Sequence, residues 1–288
     1  MPIRFLRPGE EPALRAFIAP RNRPGAELCL HLTDDPAELE ADLAVDAPLP
    51  DRCLVDAAPD GALHGALVYD IGGDARSRAW LIGPWSAPAD AGPLLDAALE
   101  ALPPTVRRVD NYLEEDHPAR AAHLARGFEP DRCVHVLRAD AAAPRAPVPV
   151  PVAVTLTEHQ PEWRDAVTAL HADAFPGTHT SIDDIVARGP ARDRLIIAHA
   201  AGEPLGYIHL NRSADLPEGL VQYIAVKPAA RGRGIGRALL AAGLDWLFGP
   251  AAAPVAFLTV DADNRRALGV YHAAGFAPYR SGRVLTRA

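Results

Sequence analysis

The segment "VKPAARGRGIG", Val226 to Gly236, places two arginines and three glycines within six residues. Glycine tolerates positive φ and lets the backbone approach a ligand closely. The backbone N–H groups of Arg231, Gly232, Arg233, Gly234, Ile235 and Gly236 can therefore converge on one anion. Arg231 and Arg233 add full charges that pair with phosphate oxygens. The chemistry this spacing offers is phosphate binding, against the plainer alternative of a surface turn with solvated arginines.

The flanking residues say what positions the turn. "GLVQYIAV", Gly219 to Val226, is a run of strand formers, and "RALLAAGLDWLF", Arg237 to Phe248, reads as a helix. Strand, Gly-rich turn and helix put the positive end of a helix dipole at the anion. Two nucleotide motifs are excluded. No Lys-Ser or Lys-Thr follows the glycines, as a P-loop requires. Nor does an acidic residue end a second strand about 20 residues on, as a dinucleotide fold requires, since Asp245 lies inside the expected helix.

Composition bounds the rest. A chain of 288 residues with 49% hydrophobic content suits two ordinary globular domains. A net charge of −8 argues against nucleic acid as a partner and fits a cationic or amine substrate. Lys227 is the single lysine. Cys29, Cys53 and Cys133 form no CxxC pair, and the histidines lack metal spacing, so neither a disulfide framework nor a metal is expected. No apolar run approaches the roughly 18 residues of a membrane span, and "MPIRFLRPGEE" has no signal core, so a cytoplasmic location is expected.

The sequence carries one pattern twice. "HLARGF", ending at Phe128, returns as "YHAAGF", ending at Phe276, an offset of 148 residues. "VHVLRAD" and "GRVLTRA" follow these at the same spacing. "LIGPWSAPADAGPLL" can be laid on "AVKPAARGRGIGRALL" at an offset of 144, matching Pro84 to Pro228 and Gly92 to Gly236. "DRCLVD" at Asp51 matches "DRLIIA" at Asp193. The shared order argues for a duplicated domain. Each half reads as helix, strands, Gly-turn-helix, strand, helix, strand. "DRLIIAHAAGEPLGYIHLN" reads as a hairpin turning near Gly202. "NRRALGVYHAA" reads as a helix stopped by Gly275. The Pro- and Ala-rich stretch between the halves reads as a stiff linker.

"VKPAARGRGIGRALL" resembles the acetyl-CoA pyrophosphate loop of the GNAT N-acetyltransferase superfamily, with Arg231, Gly234 and Gly236 at the family's Arg/Gln-x-x-Gly-x-Gly/Ala positions. "LTVDADNRRALGVYHAAGF" resembles the strand and helix that follow in that family, with Asn264, Ala267, Tyr271, Gly275 and Phe276 in the usual places. The resemblance implies a mixed α/β fold built as two tandem GNAT-like domains. Residues 1–138 are expected to form a degenerate copy, 139–151 the linker and 152–288 the catalytic copy. Degeneracy is chemical: Ala87, Ala89 and Asp90 stand where Arg231, Arg233 and Gly234 would be, His123 where Tyr271 would be, and Asp116 where Asn264 would be.

The resemblance further implies that the strand "LVQYIAV" splays from "VAFLTV" and that acetyl-CoA lies in the gap. Backbone groups of Ile224, Ala225 and Val226 would pair with the pantetheine arm, and one N–H would face the thioester oxygen. Asn264 and Tyr271, seven residues apart, share one helix face. Asn264 would bond the pantetheine and Tyr271 would act as general acid toward the leaving thiolate. An ordinary phenol, with a pKa of about 10, is protonated at neutral pH and ready to donate. Packing in the core is the plainer role for Tyr271, and a simple N-cap for Asn264. No carboxylate lies on "LVQYIAV", which leaves Glu218, His209, Asp261 and Asp263 as nearby candidates for a base, alongside a water relay. The implied activity is direct transfer of acetyl from acetyl-CoA to a primary amine of a small molecule or peptide, without a metal. The length and tandem layout also resemble mycothiol synthases, which acetylate a cysteinyl amine. A non-catalytic acyl-CoA sensor is the rival from another class.

Overall fold

The computed structural model describes residues 3–33, 35–43, 48–72, 76–87, 90–178, 180–190, 192–212 and 216–288. The chain divides into two compact units, one of residues 1–134 with 280–288 and one of residues 135–279.

Unit 1 begins with β1 (Ile3–Phe5), α1 (Glu11–Ile18) and α2 (Leu39–Leu43). A meander follows: β2 (Cys53–Ala57), β3 (Leu63–Gly72) and β4 (Arg78–Ser86). Then come α3 (Ala91–Ala101), β5 (Arg108–Leu113) and α4 (Arg120–Leu124). β4 and β5 run parallel across the α3 crossover, and the other pairs of the meander are antiparallel. Leu94, Leu95 and Ala98 of α3 pack with Val55, Leu67 and Trp85 in one core.

Unit 2 contains β7 (Thr155–Glu158), α5 (Arg164–Ala174), α6 (Ile182–Arg188), β8 (Asp193–Ala200), β9 (Glu203–Arg212) and β10 (Glu218–Val226). It continues with α7 (Ile235–Phe248), β11 (Val255–Asp261) and α8 (Arg265–Ala273). β6 (Glu129–Asp140) passes from unit 1 into unit 2, where the strand order is β6-β11-β10-β9-β8-β7. β7 to β10 pair antiparallel, and β10 pairs parallel with β11 across α7. This is the mixed α/β architecture expected, once in each unit.

Local sequence explains the boundaries. The β8–β9 turn is Ala201 and Gly202, both at positive φ, as a two-residue turn matching strand twist requires. α6 starts in a reciprocal capping box between Ser181 and Asp184. α8 ends with Gly275 at φ +94°, and the Phe276 N–H donates to the Tyr271 carbonyl at 3.1 Å, a Schellman closure.

Two cores flank the unit 2 sheet. Leu239, Leu240, Leu244 and Leu247 of α7 pack with Ile208, Leu210, Leu258 and Tyr271 on one face. Val167, Leu170, Ile182 and Ile185 of α5 and α6 pack with Ile197, Tyr207, Tyr223 and Ala225 on the other.

The last strand differs from the sequence expectation. The repeat pattern assigns β12 (Ala277–Arg287) to the second half, yet it pairs antiparallel with β5 of unit 1, Arg283 opposite Leu113 through Arg287 opposite Val109. Residues 280–288 therefore belong to unit 1. The strand segments after the two "GF" turns have the same apolar character, and sequence pattern alone does not say which edge each will cover. In the linker, Ala141 N–H donates to Pro254 O at 2.9 Å, and the Arg145 guanidinium lies 4.3 Å from the Phe248 ring centroid.

On β9, a Cβ at Gly206 would come within 2.7 Å of the Ala225 carbonyl oxygen of β10. That neighbour is backbone and cannot rotate aside. Gly206→Ala should destabilise unit 2 by about 1–3 kcal/mol, the usual cost of overpacking. Urea unfolding of the variant and the parent chain measures this.

Candidate active site

The site grows from an interrupted ladder. β10 pairs with β11 only at Glu218–Val255, Gly219–Ala256 and Leu220–Phe257. β10 then runs on to Val226 with β9 as its partner, Ile224 opposite Ile208, Ala225 opposite Tyr207 and Val226 opposite Gly206. Alternate residues of a strand direct their N–H and C=O groups to opposite edges. Part of the Val221–Val226 backbone therefore faces the wedge that β11 has left. A strand edge in such a wedge can hydrogen-bond an extended amide-bearing ligand.

A register shift between Val221 and Tyr223 makes Gln222 the extra residue of a bulge. It turns Val221 to the α7 core and Tyr223 and Ala225 to the α5/α6 core, while Ile224 and Val226 border the α7 side. The bulge thus re-aims the strand just where the wedge begins.

At the open end of β10 the chain enters the Gly-Arg turn. Pro228–Ala230 forms one 3₁₀ turn, and Gly232 and Gly234 both have φ of +82°. Gly234 is the residue before α7 and offers no side chain to cap it. The N–H groups of the first turn of α7 are thus left for an external acceptor. A Cβ on Gly232 would have nothing within 4 Å, and one on Gly234 would have only Pro151 Cγ, at 3.7 Å. The side chains of Arg231 and Arg233 are exposed. Arg231 is anchored by its Nε, which donates to Val226 O at 3.0 Å.

α8 carries the remaining predicted residues. Asn264 is the N-cap, its Oδ1 accepting from Ala267 N–H at 3.1 Å. Its Nδ2 has no partner among the described residues, so capping and ligand binding are compatible. Tyr271 lies about 10 Å further along the helix, at about 1.5 Å per residue. It is 8% exposed, among Val260, Leu258 and Phe276. Among the described residues no group bonds its hydroxyl. Burial pushes the phenol up from its ordinary value to about 12. The expectation of an ordinary phenol is therefore corrected: Tyr271 is a weaker acid, and it stays protonated over the whole working range.

The candidate bases scatter. Glu218 starts β10 at the closed end of the wedge, eight residues from Val226, roughly 26 Å along an extended strand. Asp261 ends β11, with its carbonyl accepting from Asn264 N–H at 3.0 Å, and Asp263 is exposed. His209 is buried, its Nε2–H donating to Asp193 at 2.6 Å. Asp193 also accepts from Arg188 at 2.9 Å and Asn211 at 3.2 Å. Burial opposes the Asp193 charge most strongly, but these donors together hold its carboxyl down at about 2.

A group that the sequence pattern does not single out lies beside this pair. The Tyr223 hydroxyl bonds Thr178 Oγ1, and its ring packs edge-on against His171 and at a tilt against Phe175. His171 is in turn bonded to Tyr207 OH at 2.5 Å and Thr180 O at 2.9 Å. The signal for this group is the pair of polar residues interrupting apolar helix and strand, His171 and His209.

The corresponding connection in unit 1 is shorter. Four residues, 87–90, separate β4 from α3, against eight, 227–234, between β10 and α7. Pro84 lies inside β4 whereas Pro228 opens the turn, so the sequence match of these prolines does not hold in space. Ala89 lies outside the described residues. His123, at the position of Tyr271, accepts from Asn111 Nδ2 at 3.0 Å and donates from Nδ1 to Ala119 O at 2.9 Å. Burial lowers it to about 4, so it is a neutral, fully engaged imidazole.

Among the described residues there is no cluster that would hold a metal, and no helix is long and apolar enough to cross a membrane.

Replacing Gly234 by Val should strain a φ of +82° and set a branched side chain over the Gly-Arg turn. Acetyl-CoA affinity should fall at least about tenfold, or about 1.4 kcal/mol. Calorimetry on the folded variant reads this directly, and unchanged affinity would remove the turn from the site.

Comparison with known proteins places this geometry. The acetyltransferase (GNAT) family model matches residues 159–276. A mycothiol acetyltransferase of Clavibacter michiganensis subsp. michiganensis is 32% identical over 273 residues, covering 90% of this chain and 82% of that protein. One from Salinispora tropica is 34% identical over 177 residues, covering 56% of this chain and 57% of that protein. Among solved structures, a GCN5-related N-acetyltransferase from Sphaerobacter thermophilus superposes with a TM-score of 0.76 at 19% identity, covering 99% of this chain and 95% of that one. A tandem GNAT protein from the clavulanic acid biosynthesis pathway gives 0.69 at 16% identity, covering 99% and 98%. With the interrupted ladder, the Gly-Arg turn and the full-length relative in agreement, the chain belongs to the acetyltransferase (GNAT) family.

Proposed function

We propose that unit 2 transfers acetyl from acetyl-CoA to the primary amine of a small molecule or peptide, by direct attack and without a metal. The observation that carries this reading is the wedge between β10 and β11 opening directly onto the Gly-Arg turn. The turn suits a pyrophosphate: the helix N-terminus and backbone N–H groups receive its oxygens, with Arg231 and Arg233 as counter-charges. The edge that Ile224 and the Val226 N–H present to the wedge suits the amides of the pantetheine arm, with Ala225 between them facing β9, and Asn264 Nδ2 is a further donor. These residues orient the thioester so that its oxygen faces a β10 N–H, which stabilises negative charge as the amine adds.

Collapse of the adduct breaks the C–S bond and leaves a thiolate. Tyr271 donates a hydrogen bond to the sulfur as the C–S bond breaks, and the proton that the thiolate gains is in net the one that the attacking amine loses. A phenol at about 12 is a weaker acid than an ordinary thiol, at about 8.5. The surplus proton of the attacking amine therefore sets the overall proton balance, and Tyr271 acts chiefly on the developing charge.

One acceptor class has a specific observation behind it. The relatives at 31–34% identity are mycothiol acetyltransferases, one of them matched over 82% of its length. The favoured acceptor is therefore the amine of a small cysteinyl compound in the cytoplasm. An acceptor screen with acetyl-CoA tests it, with the acetylated product read by mass, because a cysteinyl acceptor would itself react with a thiol reagent. Acetylation of general amines but no cysteinyl compound would leave the activity and remove that acceptor.

Tyr271→Phe keeps the ring and its packing. It should lower kcat at least about tenfold while leaving acetyl-CoA binding intact, at the low end of what general-acid help is worth. Because burial raises the phenol pKa, the acid form persists as pH rises through about 10, the ordinary phenol value, and is lost only near about 12. The parent enzyme should therefore show no alkaline decline near pH ~10 that disappears in Tyr271→Phe. A surviving kcat, with chemistry rate-limiting, would make Tyr271 a packing residue.

A further inference from the structure

Unit 1 has its own wedge. β4 and β5 pair at Arg78–Arg108 through Leu81–Asn111, and the ladder then stops although β4 continues to Ser86. In unit 2 the corresponding edge of β10 is the one that suits a pantetheine arm. In unit 1 that edge is already engaged. Gly83 N–H donates to Cys29 Sγ at 2.9 Å, and Ser86 N–H donates to the Glu27 carboxylate at 2.6 Å. On the facing strand, Cys29 bridges Leu113 and Leu30 N–H donates to Tyr112 O at 3.1 Å.

The segment that makes these bonds is Glu27–Leu32. Leu28, Cys29, Leu30 and Leu32 are all buried. Asn22 fixes it from behind: its Oδ1 accepts from Cys29 N–H at 3.0 Å and its Nδ2 donates to Thr33 O at 2.7 Å. Arg280 Nη1 donates to Leu32 O at 2.6 Å. Across the wedge floor, Asn111 Nδ2 donates to Gly83 O at 2.6 Å. Among the described residues Cys29–Leu113 is the one isolated β-bridge, and unit 2 has no equivalent.

We propose that segment Glu27–Leu32 is a built-in occupant of the unit 1 wedge, standing where an acyl-CoA pantetheine arm would lie and excluding it. The Glu27 carboxylate is the anion at the end of β4, the Cys29 sulfur takes the β4 edge at Gly83, and the backbone of Cys29 and Leu30 pairs with β5 across the gap. The N-terminal unit is thus closed by its own chain as well as stripped of its arginines. This goes beyond the activity proposed for unit 2 and can fail separately from it.

The test uses the full chain, with acetyl-CoA as the probe. Cys29 labelling by N-ethylmaleimide, located by peptide mass, should be at least about hundredfold slower in native protein than in guanidinium. Burial supports this, holding the thiol up at about 12 and leaving almost no thiolate. Saturating acetyl-CoA should leave that protection unchanged, and calorimetry should find one site, abolished when Arg231 and Arg233 are both replaced by Ala. Rapid labelling of Cys29 in the native protein would overturn the proposal whether or not acetyl-CoA binds. So would labelling induced by acetyl-CoA, or a second site that survives the double replacement. One acetyl-CoA site lost in the double variant, with Cys29 protected throughout, sustains it. No binding at all, with Cys29 protected, would sink the reading of unit 2 and leave the closure of unit 1 standing.

Discussion

Everything at this site depends on two parallel strands parting. A parallel ladder satisfies backbone groups on both partners, and breaking it inside a protein is costly unless something else meets them. In unit 2 β10 and β11 keep three pairs and then diverge. The α7 crossover seals one face and α5 with α6 the other, so divergence opens an edge while both sides stay packed. The bulge at Gln222 and the close approach at Gly206 hold β10 against β9, so that strand does not close the wedge.

The same constraint operates in unit 1 with the opposite solution. β4 and β5 also part, but Cys29, Leu30 and Glu27 meet the freed groups. Comparing the two units isolates what a ligand-ready wedge requires here: an eight-residue turn with two positive-φ glycines, charged arginines beyond it, and no inserted segment. Unit 1 has a four-residue connection and an inserted segment. Its buried His123, neutral and bonded on both nitrogens, fills the place that Tyr271 holds in unit 2.

The electrostatics around the open wedge are sparse on one side and dense on the other. On the α8 side, Tyr271 sits in an apolar setting that raises its pKa and keeps its proton. On the α5/α6 side, Asp193 holds a buried charge with Arg188, Asn211 and His209 as donors, and Tyr223 links the sheet to Thr178. A buried carboxylate so fully bonded constrains its partners' geometry, and losing one partner would strand the charge. The sheet face beside β10 is therefore held by polar as well as apolar contacts.

The local features are legible in the order of residues alone. "RGRGIG" between a strand run and a helix run, a turn near Gly202, Gly275 after the last helix and the duplicated "GF" endings each follow from short-range chemistry: positive φ favours glycine, and periodicity names the element. Asn264 and Tyr271 share a helix because seven residues make two turns. What residue order could not decide was pairing across long separations. The match of Pro84 with Pro228 ignores a turn half as long. The depth of Tyr271, and so its pKa, follows from Val260, Leu258 and Phe276 closing around it. Nothing in "ELCLHL" announces that Cys29 will lie between two strands 54 and 84 residues away. Nor does "GRVLTRA" say that it will pair with β5 instead of serving its own half. Both strand endings carry the same kind of pattern, and either satisfies an open edge, so only the closed three-dimensional arrangement selects between them.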